Sequence, residues 1–238
     1  MTMSHRFFVD ADFDGALYGE DAHHAVRVLR LRVGERVVVC DGCKREANAV
    51  ITVIEARAVY LDVGVWRDNL AEPPFDMAVY IAVAKGERMD YAVQKCVELG
   101  VTSIVPFVSR RCVAKAEGSS KTERWRKIAK QAASQAGRGI IPTVSAPLDF
   151  ESAVTQAAKS ELALFCYEMP LDKTLKHALP QEMPRSIAIV CGPEGGFSED
   201  EAEKAMQSLT AVTLGARILR CETAPVAVLA SITLYYEV

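Results

Sequence analysis

The sequence has 238 residues, of which 50% are hydrophobic and 25% charged, and its formal net charge is −3 at pH 7. This is the composition of a soluble globular protein with room for two domains. No apolar run approaches the length of a membrane span and the first residues do not resemble a signal peptide, so we expect a cytoplasmic protein without a membrane partner. The seven cysteines are odd in number and scattered, which favours reduced thiols over a disulfide framework.

Residues 1–72 have the pattern of short strands separated by tight turns. They predict one short helix over 19–31, a hairpin with strands over 36–40 and 46–54, and a further strand over 59–65. We therefore expect a small β-barrel. Cys40 and Cys43 have the spacing of some metal and redox sites, but the Asp41-Gly42 pair between them is typical of a hairpin turn, and no second cysteine pair follows at zinc spacing. We predict a turn there and no metal site.

Two prolines, Pro73 and Pro74, indicate a linker, and the pattern changes after them. Continuous apolar runs predict strands over 77–84, 103–108, 161–166 and 186–191. Helical spacing covers 89–99 and 122–137, and Ser198, followed by acidic residues, predicts the N-cap of another helix. This alternation is typical of an α/β domain, here residues 73–238, with a parallel sheet covered on both faces. Binding sites in such sheets form in loops at the carboxyl ends of the strands.

The charge is not spread evenly along the chain. Residues 85–138 hold 12 Lys or Arg against 5 Asp or Glu, although the protein as a whole is acidic. A basic segment of this kind is typical of a phosphate-binding face, and it is also what a solvated helix would show. The neighbouring Arg110, Arg111 and Lys115 favour nucleic acid as the partner.

Two stretches near the end of the chain have the character of a small-molecule site. The first, Gly192-Pro193-Glu194-Gly195-Gly196, follows an apolar strand, and its glycines expose backbone amides. It lacks the lysine of a Walker loop and the spacing of a Rossmann fingerprint, so a structural turn and a ligand loop both remain open. The second stretch, over 214–225, carries two arginines. We predict Thr223 as the N-cap of the helix over 226–236, with Pro225 in its first turn. That helix is apolar on nearly every face, which predicts burial in a core or in a subunit interface.

Taken together, these stretches resemble a known family. Gly-Pro-Glu-Gly-Gly followed by Leu-Gly-x-Arg-Ile-Leu-Arg-x-Glu-Thr-Ala is similar to the signature of the 16S ribosomal RNA uridine-N3 methyltransferases, which belong to the SPOUT superfamily. Further similarity lies in the blocks that begin at His23, Lys85 and Gln135, so the resemblance covers nearly the whole chain. It implies an N-terminal PUA-like β-barrel that binds RNA, a SPOUT methyltransferase domain with a trefoil knot, and a homodimer. It also implies S-adenosyl-L-methionine as the cofactor and 16S rRNA of the small ribosomal subunit as the partner. The reaction would be N3 methylation of a uridine in the decoding region.

The resemblance also assigns residues. The cofactor would be held by backbone and apolar groups of two loops and one strand, namely Leu164, Phe165, Gly192, Glu194, Gly195, Gly196, Leu214, Gly215, Leu219, Thr223 and Ala224. The basic residues expected to contact RNA are Arg6, Arg27, Arg30, Lys85, Arg88, Arg110, Arg111, Arg138 and Arg217. For Arg138 the alternative is charge stabilisation of a helix end, and for Arg217 it is ordering of the loop.

Two catalytic roles follow. Arg220 would stabilise negative charge on the uracil carbonyl oxygens, unless it forms a salt bridge to Glu194 or Glu222. Glu194, if burial raises its pKa, would take the N3 proton; otherwise it would cap the loop or bind a ribose hydroxyl. His23 and His24 are expected to serve packing or RNA contact rather than catalysis.

Two other functions remain open at this stage. Another SPOUT enzyme could methylate a different RNA position, such as a ribose 2′-hydroxyl. A protein with a degenerate cofactor site could be a non-catalytic RNA-binding assembly factor, although the intact loop sequences argue against it.

Overall fold

A computed structural model of the protein describes residues 5–113, 119–168 and 173–237; Lys115 lies outside them. The chain forms two compact units. The first combines residues 1–72 with residues 133–141, and the second combines residues 73–132 with residues 142–238. The expected domain boundary at Pro73 does not account for residues 133–141, which belong to the first unit.

The first unit is built mainly of strands. In chain order they are β1 (His5–Phe8), β2 (Ala16–Tyr18), β3 (Arg36–Cys40), β4 (Arg45–Ile54), β5 (Ala58–Val63) and β6 (Arg67–Asp68). The sheet order is β1-β3-β4-β5-β2, with β6 beside β4. The β1–β3 pair is parallel and the other pairs are antiparallel.

The predicted hairpin is confirmed, since Cys40 pairs with Glu46 and Arg36 with Val50. Its turn is held by Asp41, whose Oδ1 accepts hydrogen bonds from the backbone N–H of Cys43 (2.7 Å) and Arg45 (3.0 Å). Helix α1 (Gly19–His23) continues into one π-helical turn over His24–Val28. The helix therefore ends three residues before the predicted end at Leu31.

The second unit is an α/β domain. Its strands are β7 (Asp76–Ala82), β8 (Ser103–Val108), β9 (Thr143–Val144), β10 (Leu148–Asp149), β11 (Leu162–Cys166), β12 (Ser186–Cys191) and β13 (Thr210–Val212). The helices are α2 (Glu87–Glu98), α3 (Ser119–Gln135, whose last turn belongs to the first unit), α4 (Phe150–Ala157), α5 (Leu175–Ala178), α6 (Glu199–Met206) and α7 (Thr223–Glu237).

All pairs in the second sheet are parallel, in the order β10-β8-β7-β12-β11-β13, with β9 also beside β8. This confirms the α/β class and the parallel sheet. The four predicted strands lie within two residues of β7, β8, β11 and β12. Parallel strands place their carboxyl ends along one edge, and β12, β11 and β13 are neighbours there.

An aromatic cluster forms part of the core of this unit. The ring of Phe197 lies 4.6 Å from that of Phe165 and 6.4 Å from that of Phe107, measured between centroids. Phe150 packs against the same ring at 5.7 Å. Since Phe197 directly follows the glycine loop, these contacts anchor one end of that loop in the core.

Two helix termini can be compared with the sequence. Helix α6 begins with the predicted cap: Ser198 and Glu201 form a reciprocal capping box. Helix α7 starts at Thr223 itself, so Thr223 is a helical residue and not the N-cap. The reason is that the carbonyl of Arg220 already accepts hydrogen bonds from the N–H groups of Thr223 (2.8 Å) and Ala224 (3.0 Å).

Helix α7 is only partly buried. Val228, Leu229 and Ile232 are fully buried, whereas Leu234 is 66% exposed and Tyr235 is 42% exposed. An apolar helix with exposed large side chains can still bury area against another molecule. Among the described residues, no helix is both long enough and apolar enough to span a bilayer.

Candidate functional site

One cavity of about 420 Å³ opens at the carboxyl ends of three adjacent strands of the second unit. The segments that line it follow β11, β12 and β13 directly: residues 166–168, 192–194 and 213–222, joined by Arg88 and Ala224. This is the position at which parallel α/β sheets bind ligands. Its volume lies in the range of small-molecule sites.

The loop after β12 requires its glycines for steric reasons. A Cβ on Gly192 would lie 2.7 Å from the ring of Phe197, and a Cβ on Gly195 would lie 3.1 Å from the Cβ of Arg111. Gly196 has a φ of +66°, and a side chain there would collide with the carboxylate of Glu168. The loop closes through the N–H of Gly196, which donates to the carbonyl of Pro193 at 3.0 Å.

Glu194 is the polar side chain of this loop. Its Oε1 accepts hydrogen bonds from the backbone N–H of Lys85 (3.2 Å) and from Nη1 of Arg88 (3.1 Å). Its Oε2 is buried and has no hydrogen-bond partner among the described residues. A buried carboxylate oxygen without a partner is costly, which points to a donor that belongs to a ligand.

The pKa of Glu194 corrects one expectation. Burial acts to raise this pKa, but the backbone N–H groups of Glu194 and Lys85, together with Arg88, outweigh burial, and the pKa is lowered. Glu194 is therefore an ionised carboxylate at neutral pH and a weak base. The arrangement suits binding of a donor or a cation better than removal of a proton.

The loop after β13 forms the other side of the cavity. It starts with a local turn in which Oγ1 of Thr213 accepts from the N–H of Gly215 (3.3 Å), whose φ is +108°. Further along, Sγ of Cys221 donates to Oε2 of Glu222 at 3.2 Å. The side chain of Arg220 is exposed and lines the cavity. Within the described part of the chain it forms no ion pair with Glu194 or Glu222, which removes the salt-bridge alternative.

The structure brings many of the expected cofactor and catalytic residues together. Those that line the cavity are Gly192, Glu194, Leu214, Gly215, Leu219, Arg220 and Ala224. Gly195, Gly196 and Thr223 are their chain neighbours outside the lining. Leu164 and Phe165 are completely buried in the core. Since they point into the core, the structure does not bring them to the cavity.

The residues expected to contact RNA fall into three groups. Arg27, Arg30, Lys85, Arg110 and Arg217 are exposed. Arg88 and Arg111 are also exposed but bind the glycine loop, since Nη1 of Arg111 donates to the carbonyl of Gly195 at 3.2 Å. Arg6 is largely buried and pairs with Glu46 at 2.8 Å.

Arg138 requires a correction. Its side chain is 1% exposed and forms two hydrogen bonds with Glu72, at 2.9 and 2.7 Å. The N–H groups of Gly139 and Ile140 bind the same carboxylate. A guanidinium that is buried and paired in this way stabilises the first unit and is not exposed to RNA. The alternative role, charge stabilisation of a helix end, does not describe it either, because its partner is the Glu72 carboxylate.

Sequence reasoning missed part of the cavity wall. Cys166, Tyr167 and Glu168 line the cavity from the end of β11, and the ring of Tyr167 stacks on Phe165 at 5.6 Å. These residues follow a predicted strand, so their position at a strand end could be expected. Their place beside the two functional loops depends on the strand order, in which β11 lies between β12 and β13. Glu222 also lines the cavity, whereas the sequence suggested it only as a partner for Arg220.

Comparison with known proteins gives a consistent result. Residues 71–233 match an RNA methyltransferase domain, and residues 17–64 match an RNA methyltransferase PUA domain. Ribosomal RNA small subunit methyltransferase E of Bacillus subtilis is 31% identical over 231 residues, which span 93% of this chain and 90% of that protein.

Solved structures agree along the whole chain. The crystal structure of a ribosomal RNA small subunit methyltransferase E from Neisseria gonorrhoeae, bound to S-adenosyl methionine, is similar with a TM-score of 0.87. It is 30% identical, and the match covers 98% of each chain. A putative methyltransferase from Legionella pneumophila in complex with the same cofactor also gives a TM-score of 0.87, with 29% identity and 97% coverage of both chains.

Proposed function

Because this chain belongs to the RNA methyltransferase family, with ribosomal RNA small subunit methyltransferase E among its relatives, we propose that it methylates N3 of one uridine in 16S ribosomal RNA, in the decoding region. The enzyme is an S-adenosylmethionine-dependent rRNA methyltransferase. The observation that carries the proposal is the pairing of two loops across one cavity. Within the described part of the chain, one loop holds a buried carboxylate oxygen without a hydrogen-bond partner and the other holds Arg220 without an ion pair.

The residues of the cavity fit the proposed cofactor. S-adenosylmethionine carries an ammonium group, a sulfonium and ribose hydroxyls, and it has no phosphate. Two of the carboxylates that line the cavity, on Glu168 and Glu194, suit these groups. The free Oε2 of Glu194 would accept from an ammonium or hydroxyl group. Leu214 and Leu219 offer apolar surface to an adenine ring, and the expected glycines with Thr223 and Ala224 complete the proposed binding set.

The protein must then make N3 of uridine a nucleophile. When bound, the cofactor supplies the activated methyl group. Uridine N3 carries a proton at neutral pH, so negative charge develops on the uracil carbonyl oxygens as that proton leaves. Arg220 lines the cavity, forms no ion pair with another described residue, and would stabilise this charge. The two loops orient the reactants and exclude water.

The rest of the chain would hold the RNA. We assign RNA binding to a PUA-like β-barrel formed by residues 1–72, and methyl transfer to residues 73–238 with a trefoil knot near the C-terminus. The exposed arginines and lysine, Arg27, Arg30, Lys85, Arg110 and Arg217, would contact phosphates. A homodimer through helix α7 is part of the proposal, as is action in the cytoplasm, where the small subunit is assembled.

The test uses labelled S-adenosylmethionine and small ribosomal subunits that lack their native methylation. We expect the label in 3-methyluridine after digestion and mass analysis of the RNA. Arg220→Ala should lower kcat by roughly 10²- to 10³-fold, the cost of removing one preorganised charge-stabilising group. Arg185→Ala, on the exposed surface of the same unit, is the matched control.

The outcomes separate the alternatives. Label on a ribose 2′-hydroxyl would identify a SPOUT enzyme with a different target. Absence of both label and cofactor binding in calorimetry would identify an RNA-binding assembly factor. Full activity of Arg220→Ala would refute the role given to that arginine.

A further inference from the structure

The proposed reaction needs a group that takes the N3 proton, and three carboxylates line the cavity: Glu168, Glu194 and Glu222. The charged groups around them on the cavity wall are Arg88, Arg217 and Arg220. No histidine is among the described residues that line the cavity. The acceptor is therefore sought among these carboxylates.

Glu194 is poorly suited to accept a proton. One of its oxygens is held by Lys85 and Arg88, and its pKa is lowered. The other oxygen is buried and suits a ligand donor that stays in place. These are the features of a carboxylate that binds a ligand, not of one that accepts a proton.

Glu168 is exposed and lies on a different segment of the cavity wall from Arg220. It follows β11 and is packed against Gly196, at the base of the glycine loop. A base must act next to the group that stabilises the resulting negative charge, because both serve the same uracil ring. Glu168 shares no loop with Arg220.

Glu222 meets this condition. It lies two residues after Arg220 in the same turn before helix α7, and it is half-buried at the cavity wall. Sγ of Cys221 donates to its Oε2 at 3.2 Å, which orients the carboxylate. Among the described residues no hydrogen bond to its Oε1 is found, so this oxygen would take the substrate proton.

The donor in this contact is reliably protonated. Burial, followed by the hydrogen bond to Glu222, raises the pKa of the Cys221 thiol to about 12. The thiol therefore stays protonated at neutral pH and continues to donate. A donor that keeps its proton can hold the carboxylate in one orientation.

We propose that Glu222 is the catalytic base of the methyl transfer and that Cys221 is its positioning residue, an inference that rests on the proposed function. The N3–H bond breaks and an O–H bond forms on Glu222, while the N3 electron pair forms the bond to the incoming methyl carbon. The methyl–sulfur bond breaks with its electrons on sulfur, and Glu222 later returns the proton to solvent. No oxidant or further reactant is needed.

The first test compares Glu222→Gln with the wild-type chain on the same ribosomal subunits, with Glu182→Gln as an exposed control in the same unit. We expect single-turnover formation of 3-methyluridine to fall about 10²- to 10³-fold in Glu222→Gln. Calorimetry should give a Kd for S-adenosylmethionine within about threefold of the wild-type value, since the acceptor acts on the RNA base. Glu222→Asp should restore part of the rate.

The pH dependence separates a base from a structural role. With the base in place, the wild-type rate should be flat between about pH 6 and pH 8. Without the base, reaction depends on uridine that has already lost its proton, so the logarithm of the Glu222→Gln rate should rise with a slope of about 1 per pH unit. A merely structural change would lower the rate and leave the profile flat.

The positioning role of Cys221 has its own readout. Cys221→Ala should lower the rate roughly three- to tenfold, the worth of one hydrogen bond, and Cys221→Ser should restore it because a hydroxyl also donates.

A Glu222→Gln rate within threefold of wild type, or a flat pH profile in that variant, overturns the inference. If the wild-type chain makes no 3-methyluridine, the proposed function fails, and this inference fails with it.

Discussion

Each glycine of the loop after β12 is required by a different neighbour. Phe197 packs where a Cβ on Gly192 would lie, Arg111 does so at Gly195, and Glu168 together with a positive φ does so at Gly196. The backbone of the loop is therefore shaped by three separate contacts, and its one polar side chain, Glu194, faces the cavity. The glycine-rich motif, which by itself indicates only a turn, forms a tightly packed turn in this protein.

We predict that Gly192→Ala destabilises the protein by about 1–3 kcal/mol, because its Cβ would lie only 2.7 Å from the Phe197 ring and the core would be overpacked. The loop should move and cofactor binding should weaken with it. Urea unfolding and calorimetry with S-adenosylmethionine measure the two effects.

A double variant provides the control. Phe197→Leu removes the ring edge that meets the new methyl group, so Gly192→Ala should cost less in that background than in the wild-type chain. Equal costs in both backgrounds would show that the ring is not the reason for this glycine.

At the scale of elements, the sequence predicted the longer strands of the second unit and several of its helices, but not the short strands β9, β10 and β13 or the helices α4 and α5. Long apolar runs gave β7, β8, β11 and β12, and Ser198 with Glu201 gave the start of α6. These features are local in sequence. The loop after β12 could also be placed, because it directly follows a predicted strand, whereas the strand before the second loop, β13, was not predicted.

What could not be predicted depends on contacts distant in sequence. Glu72 and Arg138 are 66 residues apart, and nothing near Arg138 indicates that its charge is buried. Leu164 and Phe165 alternate with their neighbours in a strand that is covered on both faces, so their sequence does not tell core from cavity. The lowered pKa of Glu194 depends on Arg88, 106 residues away.

The buried pair makes a prediction about stability. Replacing Arg138 with Met leaves the Glu72 carboxylate buried without its partner, which should cost roughly 3–5 kcal/mol. The double variant Glu72→Gln/Arg138→Met should lose less than the single change, because it removes both charges. Urea unfolding at pH 7 measures all three chains, and a double variant as unstable as Arg138→Met would contradict the pairing.

The same pair fixes the sign of a pH effect. Burial acts to raise the pKa of Glu72, but Arg138 and the N–H groups of Gly139 and Ile140 outweigh it, and the pKa is lowered. Its stabilising contribution is complete above the unfolded pKa of about 4.3 and is lost as the pH falls through the lower folded value. The stability difference between the wild-type chain and Arg138→Met should therefore shrink as the solution is acidified.

At the scale of the whole molecule, the charge pattern separates two roles that the net charge of −3 conceals. Some basic residues of the middle segment bind groups of the protein even where they are exposed; these include Arg88, Arg110, Arg111 and Arg138. For others, such as Lys85, no side-chain hydrogen bond or ion pair is found among the described residues. Counting charges along the sequence therefore overstates the cations that remain for RNA. Only the structure shows which basic residues bind groups of the protein and which remain for RNA.

We predict that exposed apolar residues of α7 mediate the proposed homodimer. Leu234→Glu places a charge on a side chain that is 66% exposed, so it should leave the fold intact while converting dimers into monomers. Sedimentation velocity measures the change. Leu70→Glu, at a position 97% exposed in the first unit, is the control and should sediment as the wild-type chain does. A Leu234→Glu chain that sediments unchanged would exclude this surface.

The return of residues 133–141 to the first unit has a consequence for biosynthesis. A chain made from its N-terminus completes the six described strands of this unit by residue 68. Its last segment emerges only after two strands, helix α2 and most of helix α3 of the other unit. Until Arg138 has left the ribosome, Glu72 has no buried counter-charge. We therefore expect the order of translation and the order of folding to differ, with the first unit reaching its final packing only after part of the second has been synthesised.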